Sequence, residues 1–215
     1  MGRWLALMVL LVAVPVAAID LVGDEDPIFQ AQALHLARTA LTGWVMGRAI
    51  RISPALTPAL QAQSGVFVSL ENRRLVVRGC RGTLQPRTAR LADEIVANVR
   101  EACLQDPLHP PVKPAELDDI RIVLCVPGQG ERVFPGQVWD VHRYGVLVEA
   151  GSRAAVMLPW EAPDSEHQVR WGRRRAQIAP SEAAHLVRFA AVRFAEAFPP
   201  KSRPAPPEPP RVPYW

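Results

Sequence analysis

At 215 residues with 49% apolar side chains, the chain can bury a core of ordinary size and needs only one domain to do so. Its formal charge of +4, from 25 basic against 21 acidic residues, excludes the balance of a nucleic-acid binder unless the excess is focused on one face. Nearly all the positive charge is arginine, since lysine occurs only at Lys113 and Lys201.

Residues 1–18 have the layout of a secretory signal peptide: a single early charge at Arg3, an apolar run from Trp4 to Val16, then the small Ala17 and Ala18. The run stops at Ile19, short of the about 20 residues that a bilayer-spanning helix needs. A periplasmic or secreted protein, free of the membrane after cleavage, is therefore expected. A retained anchor, or a cytoplasmic protein with a misplaced start codon, is the alternative. Asp26 before Pro27 is a helix start, and Leu34, Ala37, Leu41 and Val45 recur at helical spacing up to Gly47. Residues 48–64, with Pro54 and Pro58, read as an extended connection.

Residues 65–86, GVFVSLENRRLVVRGCRGTLQP, hold the best candidate site. Phe67 to Leu70 and Leu75 to Val77 read as two antiparallel strands joined by a polar turn. The second runs into Arg78, Gly79, Cys80, Arg81 and Gly82. Two glycines beside one cysteine predict a tight bend, because glycine alone enters positive φ without steric cost. The two arginines flank the thiol, and neighbouring guanidinium charge favours thiolate, which makes Cys80 the candidate nucleophile or ligand contact. The plainer alternative is a small apolar residue packed at a strand end.

Leu91, Ile95, Val99, Ala102 and Cys103 share one face of a helix expected over residues 88–104, with Asp93 and Glu94 in its first turns. Its first amides, aimed back at the bend, would form a small anion site with Arg78. Residues 106–117 are a proline-stiffened link carrying His109. Ile120, Ile122, Leu124 and Val126 alternate as a strand, followed by a loop over residues 127–136. Residues 144–149 and 154–158 form a hairpin, preceded by His142. Asp164 caps a helix reaching Arg173, Arg174 and Arg175, a solvated charge run with too few aromatics for nucleic-acid binding. Residues 182–198 suit a helix or a strand equally. Residues 199–215 hold eight prolines and read as an extended, disordered tail outside the folded region at 27–198. Three cysteines allow one disulfide in an oxidising compartment, for example Cys103 with Cys125, but sequence does not fix the connectivity. No cysteine or histidine cluster has metal-ligand spacing.

GVFVSL, RGCRGTLQP, DPLHPPVKPAELDDIRIVLCV, YGVLVEAG and VMLP, in that order, resemble the AMMECR-domain family, whose bacterial members are called AmmeMemoRadiSam system protein A. The family's Leu-Arg-Gly-Cys-Ile-Gly hallmark falls on residues 77–82, with Val77 in place of leucine and Arg81 in place of isoleucine. Leu108 and His109 stand where the family has Arg-Phe, and Trp160 where it has glutamine. The resemblance implies an α+β fold, a mixed or antiparallel sheet flanked by helices, with a larger and a smaller subdomain, and it favours a strand near residue 190. It also implies a Memo-like protein and a radical S-adenosylmethionine enzyme as partners, this chain lacking the cluster-binding cysteines of the latter. Neither the residues nor the resemblance identifies a cofactor, which is left unknown. Two classes of function follow. One is an accessory protein holding a ligand or partner at Arg78, Gly79, Arg81 and Gly82 in a cleft between the subdomains. The other is an enzyme with Cys80 as nucleophile and His109 or His142 as base.

Overall fold

The structure, a computed structural model, describes residues 26–134 and 136–200. The leader expected at residues 1–18 and nearly all of the expected tail lie outside them. The described chain runs α1 (Pro27–Met46), α2 (Pro58–Gln61), β1 (Val66–Asn72), β2 (Val77–Thr83), α3 (Leu91–Leu104), a 3-10 turn (Pro114–Asp119), β3 (Ile120–Arg132), β4 (Tyr144–Ala150), β5 (Arg153–Met157), α4 (Ser165–Arg175) and β6 (His185–Ala195). The strands form one antiparallel sheet in the order β2-β1-β3-β6-β4-β5. No helix among the described residues is long and apolar enough to cross a membrane.

Two cores lie along this sheet. The larger joins α1 and α3 to one face of β1, β3 and β6, through Val66, Val68, Leu70, Ile120, Ile122, Leu124, Val126, Val192 and Phe194. The smaller packs α4 and the segment after it on β4 and β5, through Val146, Val148, Met157 and Ile178. Gly172 lets α4 sit down on this hairpin, since a Cβ there would lie 2.7 Å from Val148. The expected larger and smaller subdomains are thus two cores on one sheet, and β6 is bonded to both sides of the divide.

The α1 caps are those read from sequence. The Asp26 carboxylate accepts the amides of Ile28 and Phe29, and Gly47 closes the helix at φ 64°. Its buried face is Ala33, Leu36, Ala37, Ala40 and Leu41, while Leu34 and Val45 are only partly buried. The alanines allow α1 to pack closely beside α3. The extended connection expected over 48–64 contains one helical turn, α2, whose Leu60 is buried. Residues 182–198 are settled by pairing: β6 bonds to β3 and β4 and forms a strand. β3 runs on to Arg132, through the first part of the loop expected at 127–136, because a register shift between Pro127 and Gly130 accommodates the proline.

Helix α3 starts three residues later than expected, and Glu94 explains why. Its fully buried carboxylate accepts the amides of Arg87 and Thr88, the hydroxyls of Thr83 and Thr88, the Arg87 Nε and the Asn98 amide nitrogen. Residues 87 and 88 therefore wrap the acid and do not extend the helix. Burial alone would raise the Glu94 pKa, but the donors from Thr83, Arg87 and Thr88 outweigh it and hold the carboxyl below its ordinary value. This stabilisation is complete above about pH 4.5 and is lost as pH falls through the lower folded-state value. Replacing Glu94 with alanine strands buried donors and should lower the unfolding free energy in urea at neutral pH by about 3 kcal/mol. A loss well below about 1 kcal/mol contradicts this account.

Candidate functional site

The Arg78–Gly82 motif lies on the edge strand β2, and the expected tight bend is absent. Gly79 and Gly82 are extended, with register partners Leu70 and Phe67, and neither has a positive φ. They are needed for close approach. A Cβ on Gly79 would stand 2.2 Å from the Ala102 carbonyl oxygen at the end of α3, and one on Gly82 would stand 2.4 Å from the Phe67 ring. The reversal comes earlier, at residues 73–76. There Leu75 takes φ 61° and the Asn72 side chain accepts the amides of Arg74 and Val76. Leu75 and Val76, read as strand residues, are exposed in this turn.

Strand alternation then divides the motif between two faces. Gly79 and Arg81 lie opposite Leu70 and Val68, on the side covered by α3. Cys80 lies opposite Ser69, on the side that no helix of the larger core covers. Arg78 sits beside a register shift and forms a forked pair with Glu116, at 2.7 Å from Nε and 3.1 Å from Nη2, while its Nη1 donates to the Pro110 carbonyl. The Arg78 bonds hold the Glu116 carboxyl low. Arg81 donates to the Gln105 carbonyl.

Both guanidinium groups thus bond to the segment after α3, Arg81 with its Nε buried and unpartnered, and neither activates the thiol. The expected anion site does not form either. The first amide of α3 donates to the Ala62 carbonyl, and Arg78 of β2 is bonded to the segment beyond the other end of that helix.

Asp106 holds the motif from behind. Its carboxylate accepts the Cys80 amide at 2.8 Å, the Leu108 and His109 amides, and a contact at 3.0 Å from the His109 ring. Burial would raise this carboxyl, but the Cys80 amide, the Leu108 amide and His109 bring it below its ordinary value. His109 therefore braces Asp106. The Cys80 thiol accepts from the Ser69 hydroxyl at 3.3 Å. Burial pushes its pKa up, Ser69 opposes this in part, Glu161 and Asp106 raise it further, and Arg175 lowers it.

All three cysteines are free. Cys103 lies in the helical core and is pushed up by burial to about 11, whereas Cys125 faces the other side of the sheet and is pushed up to about 12. The sheet between them rules out the pairing considered from sequence.

The face carrying Cys80 and Ser69 opens into a cleft of about 190 Å³. One wall is Ser69, Glu71, Val77, Val123 and Cys125 of the larger subdomain. The other is residues 158–161 of the smaller one, with Arg193 of the shared strand β6 between them. Glu71, nearly buried, accepts Arg121 at 2.7 Å on one oxygen and Arg193 at 3.4 Å on the other. Glu161 accepts the Leu158 amide and pairs with Arg175.

Trp160 stands at the mouth. Its backbone is left-handed at φ 70°, its amide donates to the Val141 carbonyl, and its ring lies 4.0 Å from that of His142 between centroids. The residue nevertheless remains 62% exposed. Ser69, Glu71, Glu161 and Arg193 gave no signal in the sequence, because only register brings them together: Ser69 opposite Cys80 and Val123, Arg193 opposite Cys125. Among the described residues, no group of three acidic, histidine or cysteine side chains is placed to hold a metal ion.

One antiparallel sheet, two unequal cores and a cleft between them define an α+β protein of two subdomains. The chain belongs to the AMMECR1 family, whose model matches residues 34–194. A Thermotoga maritima protein is 36% identical over 135 residues, covering 61% of this chain and 78% of that protein. A Clostridium acetobutylicum protein is 34% identical over 179 residues, which are 81% of this chain but 37% of that protein's length. The crystal structure of the uncharacterized protein PH0010 from Pyrococcus horikoshii superimposes with a TM-score of 0.73 at 26% identity, covering 81% of this chain and 94% of its own.

The geometry makes a definite statement about reactivity. Iodoacetamide should modify Cys80 ahead of the buried Cys103 and Cys125, with a rate-against-pH midpoint above the ordinary thiol value that Arg78→Ala leaves in place. A midpoint below that value, or one that rises in Arg78→Ala, contradicts this arrangement.

Proposed function

We propose that the chain is a binding protein of the AMMECR1 family, and that the cleft between its subdomains receives a ligand or a partner's side chain. The observation that carries this reading is Trp160. A bulky residue in the left-handed region costs about 1 to 2 kcal/mol. Here the cost is not offset by burying the ring, which stands in solvent over His142 at the edge of the cleft. An exposed aromatic held in a strained backbone beside a polar, partly charged cleft suits a contact surface better than a packing role. Cys80 adjoins the cleft through Ser69, and in this reading it backs the wall that Ser69 forms. The nucleophile alternative gains no support from the geometry, since burial and two carboxylates raise the thiol and its hydrogen-bond partner is a serine.

The partners implied by resemblance, a Memo-like protein and a radical S-adenosylmethionine enzyme, belong to the same proposal, as does an exported location reached through residues 1–18. Native mass spectrometry of the protein purified from its source cells tests the binding reading. The wild type should carry a non-covalent mass that Trp160→Ala loses and that Arg74→Ala, in the exposed hairpin turn, keeps. A bare wild-type mass, or a mass retained by Trp160→Ala, contradicts the proposal.

A further inference from the structure

A second and larger cavity, about 790 Å³, lies wholly on the smaller subdomain and shares no lining residue with the cleft. The segment after β3 and the outer side of α4 form its two sides, and it is open to solvent between them. Its walls are apolar, from Val133, Val138, Trp139, Val169, Ile178 and Leu186. Val138 is 81% exposed, an aliphatic side chain left in water at the edge of this space. The floor is preformed. The Trp139 indole donates to Gln168 at 2.7 Å, and the fully buried Gln168 donates in turn to the carbonyls of Tyr144 and Leu158.

Above this apolar floor α4 presents Arg170, Arg173 and Arg174, spaced three and four apart and therefore on one side of the helix. Arg173 is fixed by bonds from Nη1 to the carbonyls of Ala179 and Glu182. Arg170 and Arg174 have no carboxylate and no hydrogen-bond acceptor among the described residues, although Arg78, Arg87, Arg121, Arg153 and Arg188 each have an acid. Glu166 is the single acid in the lining, and it is not paired with either arginine. Like charges four residues apart on a helix destabilise it, and an anion lying between them would reverse the sign. A half-open, largely apolar groove of this size with a few convergent charged groups has the character of a small-molecule site, whose usual volume is about 300–1,000 Å³.

We infer that this cavity binds a small anionic amphiphile, an acyl chain ending in a carboxylate, with the chain along Val138, Trp139 and Ile178 and the carboxylate between Arg170 and Arg174. The inference is independent of what occupies the cleft. The probes are laurate and its neutral counterpart 1-dodecanol, each below its aggregation concentration, competing with cis-parinarate on the full chain.

Wild-type protein should bind laurate about tenfold more tightly than 1-dodecanol, the worth of one charge-assisted hydrogen bond. Arg170→Ala/Arg174→Ala should abolish that preference while leaving the affinity for 1-dodecanol in place, and Val138→Asp should weaken both. These side chains lie on the surface, so thermal unfolding of the variants should match the wild type. Equal binding of the two probes, absence of laurate binding, or an unchanged preference in the double variant overturns the inference. So does either competing occupant: sedimentation with phosphatidylglycerol vesicles without binding of monomeric laurate, or a concentration-dependent dimer that Val138→Asp dissolves.

Discussion

The contact on which this structure turns is the one between Gly79 and the end of α3. The Ala102 carbonyl comes so near the strand that a single added carbon would stand 2.2 Å from it. That closeness lets α3 press Ile95, Val99 and Ala102 onto the sheet beside Val68 and Leu70, all of them essentially inaccessible to water. Each such aliphatic side chain contributes about 2 kcal/mol through burial, so any residue other than glycine would separate layers that supply much of the larger core's stability. With the helical layer fixed on one face of β2, β1 and β3, the other face is free of helices, and the chemistry of the motif is divided by simple alternation along the strand.

That division decides what the motif can do. A thiol between two arginines in sequence would be an activated nucleophile only if all three groups met on one side. In the folded chain Arg81 is taken up behind the strand, Arg78 is clamped to Glu116 beyond it, and the thiol is left beside Ser69 with Glu161 as a charged neighbour. The face it occupies runs across β1 and β3 to β6, which is also bonded to β4 of the smaller core. A ligand seated against Cys125, Arg193 and residues 158–161 would touch both subdomains at once, so binding there would be sensitive to their relative position.

Much of the fold was legible because it rests on local signals. The Asp26–Pro27 start of α1, the alternation of Ile120 to Val126, the hairpin about residues 150–152 and the Asp164 cap are all in place. The family resemblance likewise identified the α+β sheet and its two parts. What local signals missed was set by distant partners. The glycines of the motif were read for φ freedom, and they serve instead to admit Ala102 and Phe67. The start of α3 depends on Glu94 gathering Thr83 and Thr88, and the strand at 185–195 depends on neighbours on both sides. The cleft was expected, but of its residues the sequence pointed only to the neighbourhood of Cys80, since Ser69 and Glu71, Glu161, and Arg193 come from three separated segments.

The central claim is that Cys80 lies on the cleft side of the sheet, beside Ser69 of a cleft that Trp160 also lines, and does not face the helical layer with Arg81. Bimane attached to Cys80, with the labelled peptide identified by mass, reads this directly, because tryptophan quenches bimane by contact. The account predicts strong quenching in the otherwise wild-type protein, relieved several-fold by Trp160→Phe and untouched by Trp171→Phe on α4. Bright, unquenched label, or quenching that survives Trp160→Phe, would place the thiol elsewhere and contradict the account.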